Sequence, residues 1–217
     1  MLRKLLIVVL LALMPACSAG GGGGDELPAG PDLMKKSSEA MKAVKSAGFS
    51  IATEGKPQVP LKKADGRLTS GGDADGTITL EVLGTLQEIT FAVIGDTVHF
   101  KGPTGGFQTM TRQQLAQFYD PSVILSPAKG IAQLLASATD PKVEALEDGS
   151  YRVATTFSGQ VVGQIVPGVT QGVNGKVWID RATSRLTKAS LPLQNGTVTV
   201  TFSDYDAPVT ITPPPSG

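Results

Sequence analysis

Thr77-Ile78-Thr79-Leu80-Glu81-Val82 alternates strictly between polar and apolar residues. A period of two marks a β-strand with one buried face, and it puts Ile78, Leu80 and Val82 together on that face. The pattern continues downstream. Ile89, Phe91 and Val93 alternate in the next strand, then Val98 and Phe100, with Gly95-Asp96 as the hairpin turn between them. From Phe49 to Met110 the segments are short, β-branched and separated by Gly, Pro and Asp, so the whole stretch reads as sheet.

Helices flank this block. Pro31 to Ala47 carries Leu33, Ser37, Ala40, Met41 and Val44 on one apolar-to-small stripe, with Gly48 as a C-terminal stop. Arg112 to Phe118 reads as a short helix. Asp120-Pro121 and Ser126-Pro127 each read as a helix start, a polar cap followed by proline in the first turn. Ile131, Leu134, Leu135 and Ala138 then recur at helical spacing.

After Asp140-Pro141 the chain returns to strand. Tyr151, Val153, Thr155 and Phe157 alternate; Gln160 to Val166 is a short helix stopped by Pro167 and Gly168. Three more strands are expected near 173–181, 184–191 and 196–204, turned at Asp180 to Ser184 and at Gln194-Asn195-Gly196. Asp75-Gly76-Thr77-Ile78 echoes Asn195-Gly196-Thr197-Val198, either as two ordinary hairpin exits or as a trace of two similar half-sheets.

The chain begins with Arg3 and Lys4, an apolar run from Leu5 to Met14, and then Pro15-Ala16-Cys17. That order is the secretory pattern, and the run falls short of the roughly 20 residues that span a bilayer. Leu13-Met14-Pro15-Ala16-Cys17 resembles a bacterial lipobox, which implies cleavage after residue 16 and acylation of Cys17. Cys17 is the one cysteine of the sequence, so no intrachain disulfide forms. Gly20 to Gly24 then reads as a tether. The expected organisation is a signal peptide at 1–16, a lipidated cysteine and tether at 17–30, a single domain at 31–212, and a proline-rich tail at 213–217. The expected location is the extracytoplasmic face of the cell membrane.

Charge is balanced at 19 basic and 19 acidic residues, and aromatics make up 5%. Both argue against nucleic acid as a partner. The sequence contains no G-x-S-x-G, no P-loop and no dinucleotide fingerprint. Its one histidine, His99, lies between Val98 and Phe100, so alternation turns it to the opposite, solvated face. No catalytic residue, metal site or cofactor is expected. Periodicity does not distinguish a filled core from a hollow one; on physical grounds alone, a sheet packed solidly on helices is the simpler expectation.

Tyr119-Asp120-Pro121-Ser122-Val123-Ile124-Leu125-Ser126-Pro127, followed by Gly130-Ile131-Ala132-Gln133-Leu134-Leu135, resembles the LppX/LprA/LprF/LprG lipoproteins of mycobacteria and their relatives. So do Leu33 to Ala47 and Val177-Trp178-Ile179. The resemblance implies an α+β fold: a strongly bent antiparallel half-barrel, LolA/LolB-like, with helices packed on its open, concave side around an apolar cavity. It also implies acylated lipids or glycolipids as ligands, carried across the cell envelope without covalent chemistry, with an inner-membrane lipid transporter as a candidate partner. The candidate cavity residues are Ile78, Leu80, Val82, Ile89, Phe91 and Val93 from strands and Leu115, Phe118, Ile131, Leu134 and Leu135 from helices, a set that mixes cavity wall with solid core. Two rival functions are a protein-binding or sensing module without lipid cargo and a hydrolase of envelope lipids.

Overall fold

The computed structural model describes residues 26–117, 121–166 and 168–214. The expected signal peptide at 1–16, Cys17, the glycine run and Phe118 lie outside the described residues. The chain opens with helix α1 (Gly30–Lys42) and runs through six strands: β1 (Ser46–Gly55), β2 (Leu61–Thr69), β3 (Ala74–Val82), β4 (Thr85–Ile94), β5 (Thr97–Lys101) and β6 (Gln108–Thr111). A helical stretch follows: α2 (Arg112–Ala116), a 3-10 turn at Pro121–Val123, and α3 (Ile131–Ala136). The chain ends with β7 (Thr139–Glu147), β8 (Ser150–Phe157), α4 (Gly159–Ile165), β9 (Val173–Asp180), β10 (Leu186–Leu193) and β11 (Gly196–Ser203).

All eleven strands form one sheet in the order β6-β5-β4-β3-β2-β1-β11-β10-β9-β8-β7, and every neighbouring pair is antiparallel. Two meanders are thus stitched together where the first strand meets the last. The edges, β6 and β7, are consecutive in sequence. The stretch between them must therefore travel from one edge of the sheet to the other. Its apolar residues Ile124, Leu125, Ile131, Leu134 and Leu135 pack into the core on the way, so the helices bridge an open sheet across one face. The two edges are unlike ordinary strands. β6 has four residues, and β7 holds Pro141 and shifts register twice against β8.

Two helices differ from their sequence expectations. α1 stops at Lys42 rather than Ala47, because β1 claims the residues from Ser46 and the Asp206 carboxylate accepts the Lys45 backbone N–H at 2.7 Å. α3 starts at Ile131, well after Ser126-Pro127. The Ile131 N–H donates back to the Ile124 carbonyl at 3.0 Å, and Gly130 sits so close to this turn that a Cβ there would lie 2.1 Å from the same oxygen. Only glycine fits such an approach. The helix expected to start at Asp120-Pro121 is, among the described residues, a single 3-10 turn at Pro121–Val123. Ser158 caps α4 by accepting the Val161 N–H.

α1 packs along α3 and against β7. The crossing with α3 is made close by small residues, and the Ser38 hydroxyl donates to the Ala132 carbonyl at 2.8 Å. The echoed Asp75-Gly76 and Asn195-Gly196 have different settings. Gly196 leaves the β10–β11 turn, with Asn195 at φ 65°, whereas Gly76 lies inside β3. What the two share is a glycine partner across the ladder, Gly55 opposite Gly196 and Gly66 opposite Gly76.

Candidate functional site

The ladder registers place every second residue of all eleven strands on the face the helices bridge. Three rows across β2, β3 and β4 describe it. The first row runs Ala47, Leu68, Ala74, Val93 and Val98, from β1 to β5. All five are buried, Ala47 and Val93 completely, and Ala47, Leu68 and Ala74 pack in one cluster with the residues of the helical layer. The second row runs Phe202, Phe49, Gly66, Gly76, Phe91 and Phe100. Here Phe202 is buried but Phe49, Phe91 and Phe100 are only half-buried. The third row runs Val200, Ile51, Ala64, Ile78 and Ile89, with Ile51, Ile78 and Ile89 half-buried. Leu80 follows, half-buried, and then Val82 at 49% exposure. Along β3 the same face therefore passes from closed core to open surface within nine residues.

The middle of this face is bare. Gly66 and Gly76 face each other between Phe49 and Phe91. A Cβ on Gly66 would lie 2.0 Å from the Asp75 carbonyl oxygen, and one on Gly76 2.1 Å from that of Asp65. The strands approach too closely for any side chain. The two glycines leave a floor of backbone walled by two aromatic rings.

Charge is kept to the other face. Lys63, Asp65 and Arg67 alternate with the inward positions of β2, as Asp75, Thr77 and Glu81 do on β3. Asp65 accepts from Lys63 at 2.9 Å and from Thr77 at 2.9 Å. Hydrogen bonding from Lys63 first, and from Thr77 second, holds its carboxyl below the ordinary range. Arg67 pairs with Asp75, and Lys62 with Glu81 at 2.8 Å. The inner face between these strands is apolar or glycine.

The sequence-based candidates divide accordingly. Ile78, Leu80, Ile89 and Phe91 are contiguous on the open part of the face. Val93, Ile131, Leu134 and Leu135 belong to the closed core, each 3% exposed or less. Val82 lies at the hairpin tip, and Leu115 of α2 is half-buried. Phe49, Ile51 and Phe100 complete the open patch. Their signal was alternation in β1 and β5, which pointed to a buried face but not to its uncovered part. His99 pairs with Ala92 and Thr109 on the opposite face and is half-buried. Two open depressions of about 320 and 390 Å³ lie at the turn beside Leu83 and beside Arg67 and Phe107. Among the described residues, no His, Cys, Asp and Glu cluster could hold a metal ion, and no helix is long and apolar enough to cross a membrane.

An arrangement of this kind can shelter hydrocarbon. Apolar surface removed from water gains about 25 cal/mol per Å², or about 0.8 kcal/mol for each methylene. The aromatic walls and the glycine floor offer a place for extended chains without asking any charged group to shed its water.

Known proteins resemble this chain over nearly its whole length. The lipoarabinomannan carrier protein LprG of Mycobacterium tuberculosis is 30% identical over 205 residues, which cover 87% of this chain and 84% of that protein. LprG of Mycolicibacterium smegmatis is 32% identical over 200 residues, at the same two coverages. The crystal structure of LprF from Mycobacterium bovis superposes with a TM-score of 0.74 at 22% identity, covering 87% of this chain and 97% of that one. Lipoprotein LppX of M. tuberculosis superposes with a TM-score of 0.62 at 21% identity, covering 85% and 100%. These two likenesses establish the fold, the helix-bridged half-barrel. A family model matches residues 29–211, and the chain belongs to the LppX_LprAFG lipoprotein family.

Proposed function

We propose that this protein is a membrane-anchored carrier that takes the acyl chains of a lipid or glycolipid onto the open part of its concave face and helps move them across the cell envelope. The observation that carries the reading is the half-buried patch of Ile78, Leu80, Ile89 and Phe91, with Phe49, Ile51 and Phe100, around the Gly66–Gly76 floor. A filled core would bury these residues as it buries Val93. The relatives support the same reading, since LprG is a lipoarabinomannan carrier protein. The polar head group stays at the mouth, and no bond is made or broken.

In this reading residues 1–16 are a signal peptide, Cys17 carries the lipid anchor, residues 17–30 tether a single domain at 31–212, and residues 213–217 form a tail. The protein stands on the extracytoplasmic face of the membrane and receives cargo from an inner-membrane transporter. Cys17→Ala abolishes partitioning into detergent; a mature-length mutant that stays in the membrane refutes the anchor.

The central test is Ile78→Trp, read by melting temperature and by mass spectrometry of organic extracts. The open patch has room for the larger ring, so the variant melts near wild type but yields less lipid. In a close-packed core the same change would cost about 1–3 kcal/mol. A clear fall in melting temperature, with no lipid extracted from either protein, overturns the carrier reading in favour of a protein-binding module.

A further inference from the structure

The two ends of the strands differ in chemistry. Follow the ladder registers across the sheet, and one rim collects the end of β1 at Gly55, the β3–β4 turn after Val82, the β10–β11 turn before Gly196, and the start of β7 at Thr139. The other rim collects the β2–β3 turn, the β4–β5 turn at Gly95-Asp96 and the chain around Asp206. That second rim is polar and cross-linked: Arg112 pairs with Asp73, and Arg185 with Asp206.

The first rim is apolar. The exposed large hydrophobic residues among those described are Leu27, Val82, Leu83 and Leu86. Three of them form the β3–β4 hairpin tip, where Leu83 is fully exposed and Leu86 is 62% exposed. Leu83 takes φ 52° and Gly84 φ 76°. This is a tight turn built to hold a leucine outward at the cost of a left-handed conformation that favours glycine. Leu27 lies just ahead of α1, whose first residue Gly30 abuts Pro141 near the start of β7, on this same rim. Lys56 and Lys62 line the depression beside Leu83, with Lys62 bound to Glu81. The open concave patch leads directly to the tip, since Ile78, Leu80 and Val82 are successive inward positions of one strand.

We propose that this rim is the membrane-facing edge of the molecule, and that the Val82–Leu86 tip enters the hydrocarbon of an anionic phospholipid bilayer to align the concave face with it. Apolar side chains that project beyond a lysine partition into the head-group and acyl boundary while the Lys56 ammonium group meets lipid phosphate. The lead from the anchor is consistent with this edge. The 13 residues from Cys17 to Ala29 span at most about 45 Å, and they join the body at the same rim. A lipid leaving the patch along β3 would then pass from apolar protein to apolar membrane without crossing water. The inference deepens the carrier reading and rests on it for its purpose, though not for its geometry.

The test uses the intact acylated protein in vesicles of phosphatidylcholine and phosphatidylglycerol whose acyl chains carry bromine. Leu83→Trp adds an indole at the tip, while the native Trp178, whose ring lies beside Lys188 and whose indole N–H donates to Glu147, is the internal control. Insertion gives a blue-shifted, bromine-quenched emission in the variant beyond that of wild type. Equal quenching in the two proteins overturns the proposal. In a second arm, Leu83→Asp with Leu86→Asp lowers lipid transfer to acceptor vesicles by about tenfold or more, the effect of losing a buried leucine, with melting temperature and extractable lipid unchanged. Unchanged transfer also overturns it, as does a tip that cross-links to a protein in the membrane fraction while escaping bromine. If the wild type holds no extractable lipid, the carrier reading fails, and the quenching arm still decides whether the tip enters the bilayer.

Discussion

Leu135 and Leu80 occupy equivalent chemical settings in sequence, each an apolar residue at the inward period of its element, yet Leu135 is 1% exposed and Leu80 is half open. The same contrast separates Val93 from Ile89 on a single strand. One region of the face lies under α1, α3 and the 3-10 turn, where side chains from both layers meet. The other lies beyond the reach of those helices, toward the β3–β4 tip. The lining barely changes between them; the cover does. A helical layer shorter than the sheet it bridges leaves part of the apolar face for something other than protein.

The largest expected effect tests the closed region. Leu135→Ala removes a fully packed side chain and should cost about 2–5 kcal/mol, seen as a lower urea midpoint. Leu80→Ala, in the open region, should cost well under half as much in the same experiment and reduce extractable lipid instead. Equal losses of stability would erase the distinction. The boundary between the regions is the Gly66–Gly76 crossing, and Gly66→Ala sharpens it. The new methyl meets the Asp75 carbonyl, so the β2–β3 ladder must part, at a cost of about 1–3 kcal/mol. Hydrogen exchange should show faster exchange of β3 amides while β8 and β9 stay protected.

A smaller effect is expected at the polar end of the closed region. Asp206 accepts the Lys45 N–H at 2.7 Å and pairs with Arg185. The Lys45 N–H foremost, with Arg185 adding to it, pulls the carboxyl below its ordinary range. Its folded pKa is depressed, so its contribution is present above about pH 4, the unfolded value, and is lost as pH falls through the lower folded value. Asp206→Asn suits the left-handed φ of 58° and should cost about 1 kcal/mol at neutral pH. Its stability should also decline less than wild type below about pH 4. An identical acid profile would show that the clamp contributes nothing.

Much of this fold was legible. Alternation at Ile78, Leu80 and Val82 and at Ile89, Phe91 and Val93 identified paired strands and their inward face, because β-periodicity is a local property. β2 gave no such signal. Its inward positions are Ala64, Gly66 and Leu68 among Lys62, Lys63, Asp65 and Arg67, and a glycine that exists for close strand approach breaks the alternation. The start of α1 lay in the sequence, but its C-terminal limit came from a distant partner, Asp206, and the delay of α3 from Ser126-Pro127 to Ile131 came from the turn closed on the Ile124 carbonyl. The candidate site was legible as a face and not as an opening. Nothing in Leu80 itself differs from Leu135; burial depends on where the helical bridge ends. The Leu83 tip has no signature in the sequence, because a lone leucine in a turn carries no periodicity.

An open sheet has one hazard that a closed barrel lacks: it can polymerise through its margins. A row of unpaired backbone N–H and C=O groups on each margin invites a second molecule to add strands. Here one margin is only the four residues of β6, and the other carries Pro141, which has no N–H to offer, with Asp140 beside it at φ 50°. If the protein is anchored as proposed, it meets its own copies on a two-dimensional surface far more often than it would in solution. The shortened strand and the proline give such copies little unpaired backbone to add to, while the sheet between them stays open.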